Sequence, residues 1–147
     1  MEHKDIELIL INISGQDKPG VTAALTSILA RYNAMVLDIG QADIHHTLSL
    51  GILFRTTPQM SGDIMKDLLF KAYDMGVKIR FSPISIEEYE SWVSRQGKTR
   101  WIITILGRQL TARHIALVSE VIADQGLNID AIKRLTGRMP LCEDDRA

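Results

Sequence analysis

The sequence predicts an α+β fold: a ferredoxin-like βαββαβ domain followed by an incomplete second unit, βαβ, that repeats its first half. Three observations carry that expectation. Apolar residues alternate with period two in some segments and recur at i, i+3 and i+4 in others, in the order strand, helix, strand, strand, helix, strand. The opening stretch then returns without a gap 92 positions later, so that Gly15 falls on Gly107, Ala24 on Ala116, Leu25 on Leu117, Ser27 on Ser119 and Asp38 on Asp130. Such self-similarity means one architecture used twice. The second copy runs only as far as its second strand, so we expect a truncated chain or a natural half-unit completed by a partner.

The elements follow in order. Residues 6–14 form a strand with Leu8, Leu10 and Asn12 on one face and Ile9, Ile11 and Ile13 on the other. Gly15-Gln16-Asp17-Lys18-Pro19-Gly20 is a turn. Val21, Ala24, Leu25, Ile28 and Leu29 make one apolar helical stripe, which Asn33-Ala34 ends. A second strand at 36–44 turns near His45-His46-Thr47 and returns at 48–55 as an antiparallel hairpin. Thr57-Pro58 breaks it. Ser61 is placed to cap the next helix, whose apolar positions Ile64, Met65, Leu68, Leu69, Ala72 and Tyr73 stop at Gly76. Residues 77–81 alternate as a fourth strand.

Ser85-Ile86-Glu87-Glu88 reads as a capping box opening a short helix through Trp92-Val93, and 94–98 is a polar linker. Trp92 and Trp101 are expected to pack that linker against the units. In the second unit, 101–106 and 128–135 are the expected strands, and Ile115, Leu117, Val118, Val121 and Ile122 the apolar positions of its helix. Pro140 and the polar residues 143–147 form a tail. The domains are therefore 1–84, a helical linker at 85–99, and a partial second domain at 100–147.

Composition removes several functions. With 46% hydrophobic and 24% charged residues the 147-residue chain can bury a core. A net charge of −1 argues against nucleic acid, which needs a basic patch. The related RNA-binding plan stacks bases on aromatics of its third strand, and here that strand is aliphatic from Leu48 to Leu53. No apolar run reaches the roughly 18–20 residues of a membrane span, and the charged start Met1-Glu2-His3-Lys4-Asp5 is unlike a signal peptide. The single Cys142 fits a reducing compartment. A cytoplasmic protein is expected, without nucleic-acid or membrane partners.

Few residues point to chemistry. Asp17-Lys18-Pro19-Gly20 stands between the first strand and the first helix. Its glycine permits close backbone approach, and free N–H groups at a helix start attract carboxylate or phosphate. The bland reading has Asp17 capping the helix and Pro19 stiffening its first turn. In the second unit Arg108 could pair with a carboxylate, while Thr111 suits a cap. Asp38 and Asp130, equivalent on the second strands, could hold an amino group or simply face solvent. His45-His46 point to opposite faces and read as a hairpin tip, not a metal site. No nucleophile triad, Walker loop or His-Glu-x-x-His pattern is present.

These residues carry a family likeness. The strand ending in Gly15-Gln16-Asp17-Lys18-Pro19-Gly20-Val21, with its Ala/Leu-rich helix and the Asp38 strand, resembles the ACT domain, a small amino-acid-sensing regulatory module. The second stretch, Gly107-Arg108-Gln109-Leu110-Thr111-Ala112 with Leu127-Asn128-Ile129-Asp130-Ala131-Ile132 and Arg134-Leu135-Thr136-Gly137, is similar to the second ACT repeat ahead of the catalytic domain in certain bacterial phosphoserine phosphatases.

The resemblance implies a serine-sensing regulatory role in L-serine biosynthesis, with glycine as a possible effector and self-association as a homodimer or larger. It implies ligand contacts at Asp17, Lys18, Pro19, Gly20 and Asp38, and at Arg108, Leu110, Thr111, Asn128 and Asp130. The family's phosphatase part uses an Asp-x-Asp nucleophile motif and Mg²⁺. This chain has no Asp-x-Asp, so no catalytic residue, metal site or cofactor is expected within it. A stand-alone tandem ACT regulator of the glycine-cleavage repressor type, or a structural dimerisation module without ligand, is the alternative.

Overall fold

A computed structural model describes residues 5–96 and 100–136. Its elements are β1 (Glu7–Gln16), α1 (Val21–Arg31), β2 (Met35–Ile44), β3 (Thr47–Thr56), α2 (Pro58–Asp74), β4 (Lys78–Ile84), α3 (Ile86–Gln96) and α4 (Ala112–Asp124). The chain divides into two compact units, Met1–Thr99 and Arg100–Ala147.

In the first unit the four strands form one antiparallel sheet in the order β2-β3-β1-β4. Period-two alternation decides its two faces. Ile9, Ile11 and Ile13 of β1 and Leu48, Leu50, Ile52 and Phe54 of β3 are buried against Val21, Leu25, Ile28 and Leu29 of α1 and Ile64, Leu68 and Ala72 of α2. Each of the Val, Ile, Leu and Phe side chains among them contributes about 1.5–3 kcal/mol by leaving water. The other face, with Leu10, Asn12, Gly51 and Leu53, is only half-buried. At the helix side, Arg31 lies 3.6 Å from Asp67 of α2, and the Tyr32 hydroxyl donates to the same carboxylate.

Local signals explain most boundaries. The hairpin between β2 and β3 is two residues long, with His45 and His46 both at positive φ (51° and 62°), the left-handed pair that such a tight turn needs. Helix α1 ends at Asn33 (φ 53°), and Ala34 N–H donates back to Leu29 O at 3.0 Å. Helix α2 closes through Gly76 (φ 70°) in the same manner, Val77 N–H reaching Ala72 O at 3.0 Å.

One boundary corrects the sequence reading. Thr57-Pro58 starts α2 instead of merely breaking a strand: Thr57 is the N-cap and Pro58 the first helical residue. Proline has no N–H to lose there, and its fixed φ suits a first turn. Ser61 therefore lies inside the helix, buried, with its hydroxyl 3.3 Å from Pro58 O. The expected cap at Ser85 is present, its Oγ accepting from Glu88 N–H at 3.0 Å.

The second unit differs more. Its helix forms as α4, but 101–106 and the described 128–135 are not in strands. A strand needs a neighbour for its N–H and C=O groups. In the first unit β1 and β2 do not touch, because β3 lies between them. Two strands of a βαβ half, copied from that plan, have no pairing with each other. The helix likewise buries nothing: Leu117 is 50% exposed where its counterpart Leu25 is 0% exposed. Trp101, expected to pack, is also exposed. Cys142, Pro140 and the tail at 143–147 lie outside the described residues, as do 97–99 of the linker.

Candidate functional site

The loop from β1 to α1 sits at the end of the sheet where β1 stops and the β2–β3 hairpin turns. Asp17 N–H donates to His46 O at 2.7 Å, which ties the loop to the hairpin tip. Lys18 Nζ donates to Met75 O at 3.2 Å, at the C-terminus of α2. A cation there also meets the negative end of that helix.

Gly20, not Asp17, is the N-cap of α1. It adopts a left-handed conformation (φ 90°, ψ −1°), and no side chain caps the helix. The first-turn N–H groups are thus left for solvent or an anion. Nothing lies within 4 Å of where a Gly20 Cβ would stand, so the position is open as well as backbone-restricted. Pro19 and Lys18 are exposed beside it.

Three neighbours of this loop were not singled out from sequence. Thr22 Oγ1 donates to Gln41 Oε1 at 2.7 Å, joining the first turn of α1 to β2. Asp43 and Asp17 share a hydrogen bond that raises the Asp43 carboxyl above its ordinary value; desolvation and the Asp17 charge add to this, and His46 opposes it. Strand alternation could have placed Gln41 and Asp43 near the hairpin end of β2, but not which residues of the loop they meet.

The Asp43 shift has a sign that can be measured. A carboxyl whose folded pKa is raised contributes stability below the unfolded value, near 3.8, and loses it as pH rises through the folded value. Above that window the two carboxylates repel. Asp43→Asn is therefore expected to raise the melting temperature at pH 7, with the gain disappearing below about pH 4. Thermal melts at the two pH values check this, and an equal gain at both refutes it.

Asp38 does not join the loop. It is level with Leu53 of β3 and Leu10 of β1, six residues back from the end of β1. At about 3.3 Å per residue that is some 20 Å along the strand. It lies on the sheet face away from α1 and α2, with Oδ1 accepting from Ile39 N–H at 3.0 Å. The structure thus groups Asp17, Lys18, Pro19 and Gly20 and separates Asp38 from them.

In the second unit Thr111 is the N-cap of α4, as its sequence position suggested. His114 Nδ1 accepts from Thr111 N–H at 3.0 Å and stands 3.1 Å from Thr111 Oγ1. Asn128 Nδ2 donates to Asp130 Oδ1 at 3.0 Å, so these two candidates meet each other. Leu110 turns back over Gly107, its Cδ2 3.0 Å from where a Cβ would stand. Arg108 is exposed in the loop between them. Among the described residues no set of three or more His, Cys, Asp or Glu is arranged to hold a metal, and no helix is long and apolar enough to cross a membrane.

A β2-β3-β1-β4 antiparallel sheet with two helices on one face, and a glycine-started helix beside the hairpin tip, defines a ferredoxin-like α+β module. The chain belongs to the ACT domain family: one ACT-domain family model matches residues 7–82 and another matches 99–141.

The chain is 32% identical over 130 residues to phosphoserine phosphatase SerB2 of Mycobacterium tuberculosis, a match covering 87% of this chain and 31% of that protein. It is 32% identical over 133 residues to phosphoserine phosphatase of Streptomyces coelicolor, covering 89% and 31%. The chain thus spans about a third of the length of these relatives. Among solved structures, a candidate glycine cleavage system transcriptional repressor superposes with TM-score 0.53 at 15% identity, covering 54% of this chain and 47% of the other. A protein of unknown function from Galdieria sulphuraria gives 0.50 at 17% identity, covering 54% and 50%. These two speak to the fold alone.

Proposed function

We propose that the chain is the regulatory, amino-acid-sensing region of a phosphoserine phosphatase of L-serine biosynthesis, with serine as effector. The observation that carries this reading is the first turn of α1 at Gly20, open and without a side-chain cap. Backbone N–H groups there suit the carboxylate of a small amino acid. The names of the two relatives support serine over other amino acids. Asp43 stands closer to this turn than Asp38 does and is the better partner for the effector's amine. The phosphatase chemistry, with its Mg²⁺, belongs to residues outside these 147, in a cytoplasmic enzyme.

Self-association is part of the proposal. The exposed apolar positions of α4, and the apolar segments beside it that lie outside any strand, suit another copy of the second unit. The first unit suggests how: β1-α1-β2 and β3-α2-β4 exchange places under a twofold axis in the order β2-β3-β1-β4. Two identical βαβ halves can therefore complete one sheet across such an axis.

Isothermal titration calorimetry with L-serine and glycine tests the effector. Serine is expected to bind, glycine more weakly, and Gly20→Val to abolish binding while the melting temperature falls only modestly. A β-branched residue is strained at φ 90° although space for its Cβ is available. Serine affinity unchanged by Gly20→Val makes the loop a helix start and nothing more.

A further inference from the structure

The half-buried face of the first unit's sheet is not flat. Gly40 of β2 stands directly opposite Gly51 of β3, so two neighbouring strands carry no side chain at that level. Helix α3 turns Ile86, Tyr89 and Trp92, all half-buried and three residues apart, to one side. Between the glycine gap and that stripe lies a cavity of about 410 Å³, within the size range of small-molecule sites. Leu10 and Leu53 floor it beside the two glycines, and Ile84 closes one side.

Two kinds of group give the cavity a chemical preference. Tyr89 and Trp92 line it as a tilted aromatic pair, with ring centroids 6.0 Å apart and planes at 40°. Asp38 and Glu88 line it as well, one from β2 and one from α3. Among the described residues neither carboxylate has an ion-pair partner, and no Lys or Arg lines the cavity. An apolar floor, aromatic faces and two carboxylates attract a cation with an apolar body. The absence of a lining cation disfavours any ligand carrying its own carboxylate.

We propose that this cavity is a second ligand site, distinct from the β1–α1 loop, and that it takes a small organic amine without a carboxylate. The ammonium group sits between Asp38 and Glu88, and the apolar part lies over Gly40 and Gly51 against Tyr89 and Trp92. This gives Asp38 an amine-binding role in a place about 20 Å from the loop, for a ligand class that the loop's anion-seeking N–H groups do not select.

Fluorescence of Trp92 reports on the site directly. In the full chain carrying Trp101→Phe, which leaves Trp92 as the sole tryptophan, phenethylamine is titrated beside phenylalanine and 3-phenylpropionate. The amine is expected to give a saturable change, phenylalanine one at least about tenfold weaker, and the acid none. Asp38→Asn with Glu88→Gln is expected to weaken the amine by about tenfold or more. Gly40→Val fills the gap at a strand position where a Cβ meets nothing within 4 Å; it is expected to keep the melting temperature and abolish the response. No saturable change, equal binding of phenylalanine, or a response indifferent to the carboxylate substitutions overturns the proposal. Serine calorimetry on the same variants remains unchanged if the loop site stands by itself.

Discussion

Leu25→Ala is expected to destabilise the first unit by about 2–5 kcal/mol, while Leu117→Ala leaves its melting transition within about 0.5 kcal/mol of the parent. The two leucines occupy equivalent places in the repeat. Leu25 is 0% exposed between α1 and the sheet, among Ile11, Ile13 and Leu29 in the same core. Truncating it removes apolar contact and leaves a cavity that rigid strands on one side and α2 on the other cannot close. Leu117 is 50% exposed on α4, where no residue is buried. On the proposed self-association, its effect belongs to assembly. Sedimentation equilibrium is expected to show Leu117→Ala shifted toward monomer at micromolar concentration, with Leu25→Ala unfolding before it dissociates. If Leu117→Ala leaves the distribution of species unchanged, α4 is not a contact between copies.

Gly15→Val is expected to cost about 1–3 kcal/mol, through overpacking and not through loss of contact. A Cβ at Gly15 would meet Val77 Cγ1 at 3.1 Å and Val77 Cα at 3.2 Å. Val77 is buried and anchored by its N–H bond to Ala72 O, so its backbone cannot move aside without opening the end of α2. Denaturant melts check the magnitude. Gly20→Val is the control, because it strains φ without a clash; equal costs at the two positions would mean that close approach at Gly15 is irrelevant.

Much of the first unit was legible in the sequence because local and tertiary demands agree there. Alternation in 6–14 and 48–55 marks strands that really do have one buried face. The stripe from Val21 to Leu29 is the one that α1 buries. Misreadings arose where one signal serves two structures. Thr57-Pro58 is both a strand breaker and a helix start, and only the helix that follows decides between them.

The candidate site shows a sharper division. Sequence by itself determined that Gly20 ends a turn, that α1 starts there, and that Asp38 stands on β2. Tertiary structure decided which strand residue faces the loop, because register and the level along a strand are set by pairing. β3 pairs with both neighbours, and that placement brings Asp43 and Gln41 to the loop and carries Asp38 to the cavity under α3.

The second unit gives the same lesson in reverse. Its repeat was plain at 92 residues' spacing, and the capped helix at Thr111 formed as its local chemistry required. Its strands did not form, because a strand is a property of two chains of hydrogen-bonding groups and not of one. Sequence patterning determines which face of a segment is apolar; only a neighbouring strand and an opposing layer turn that face into a core.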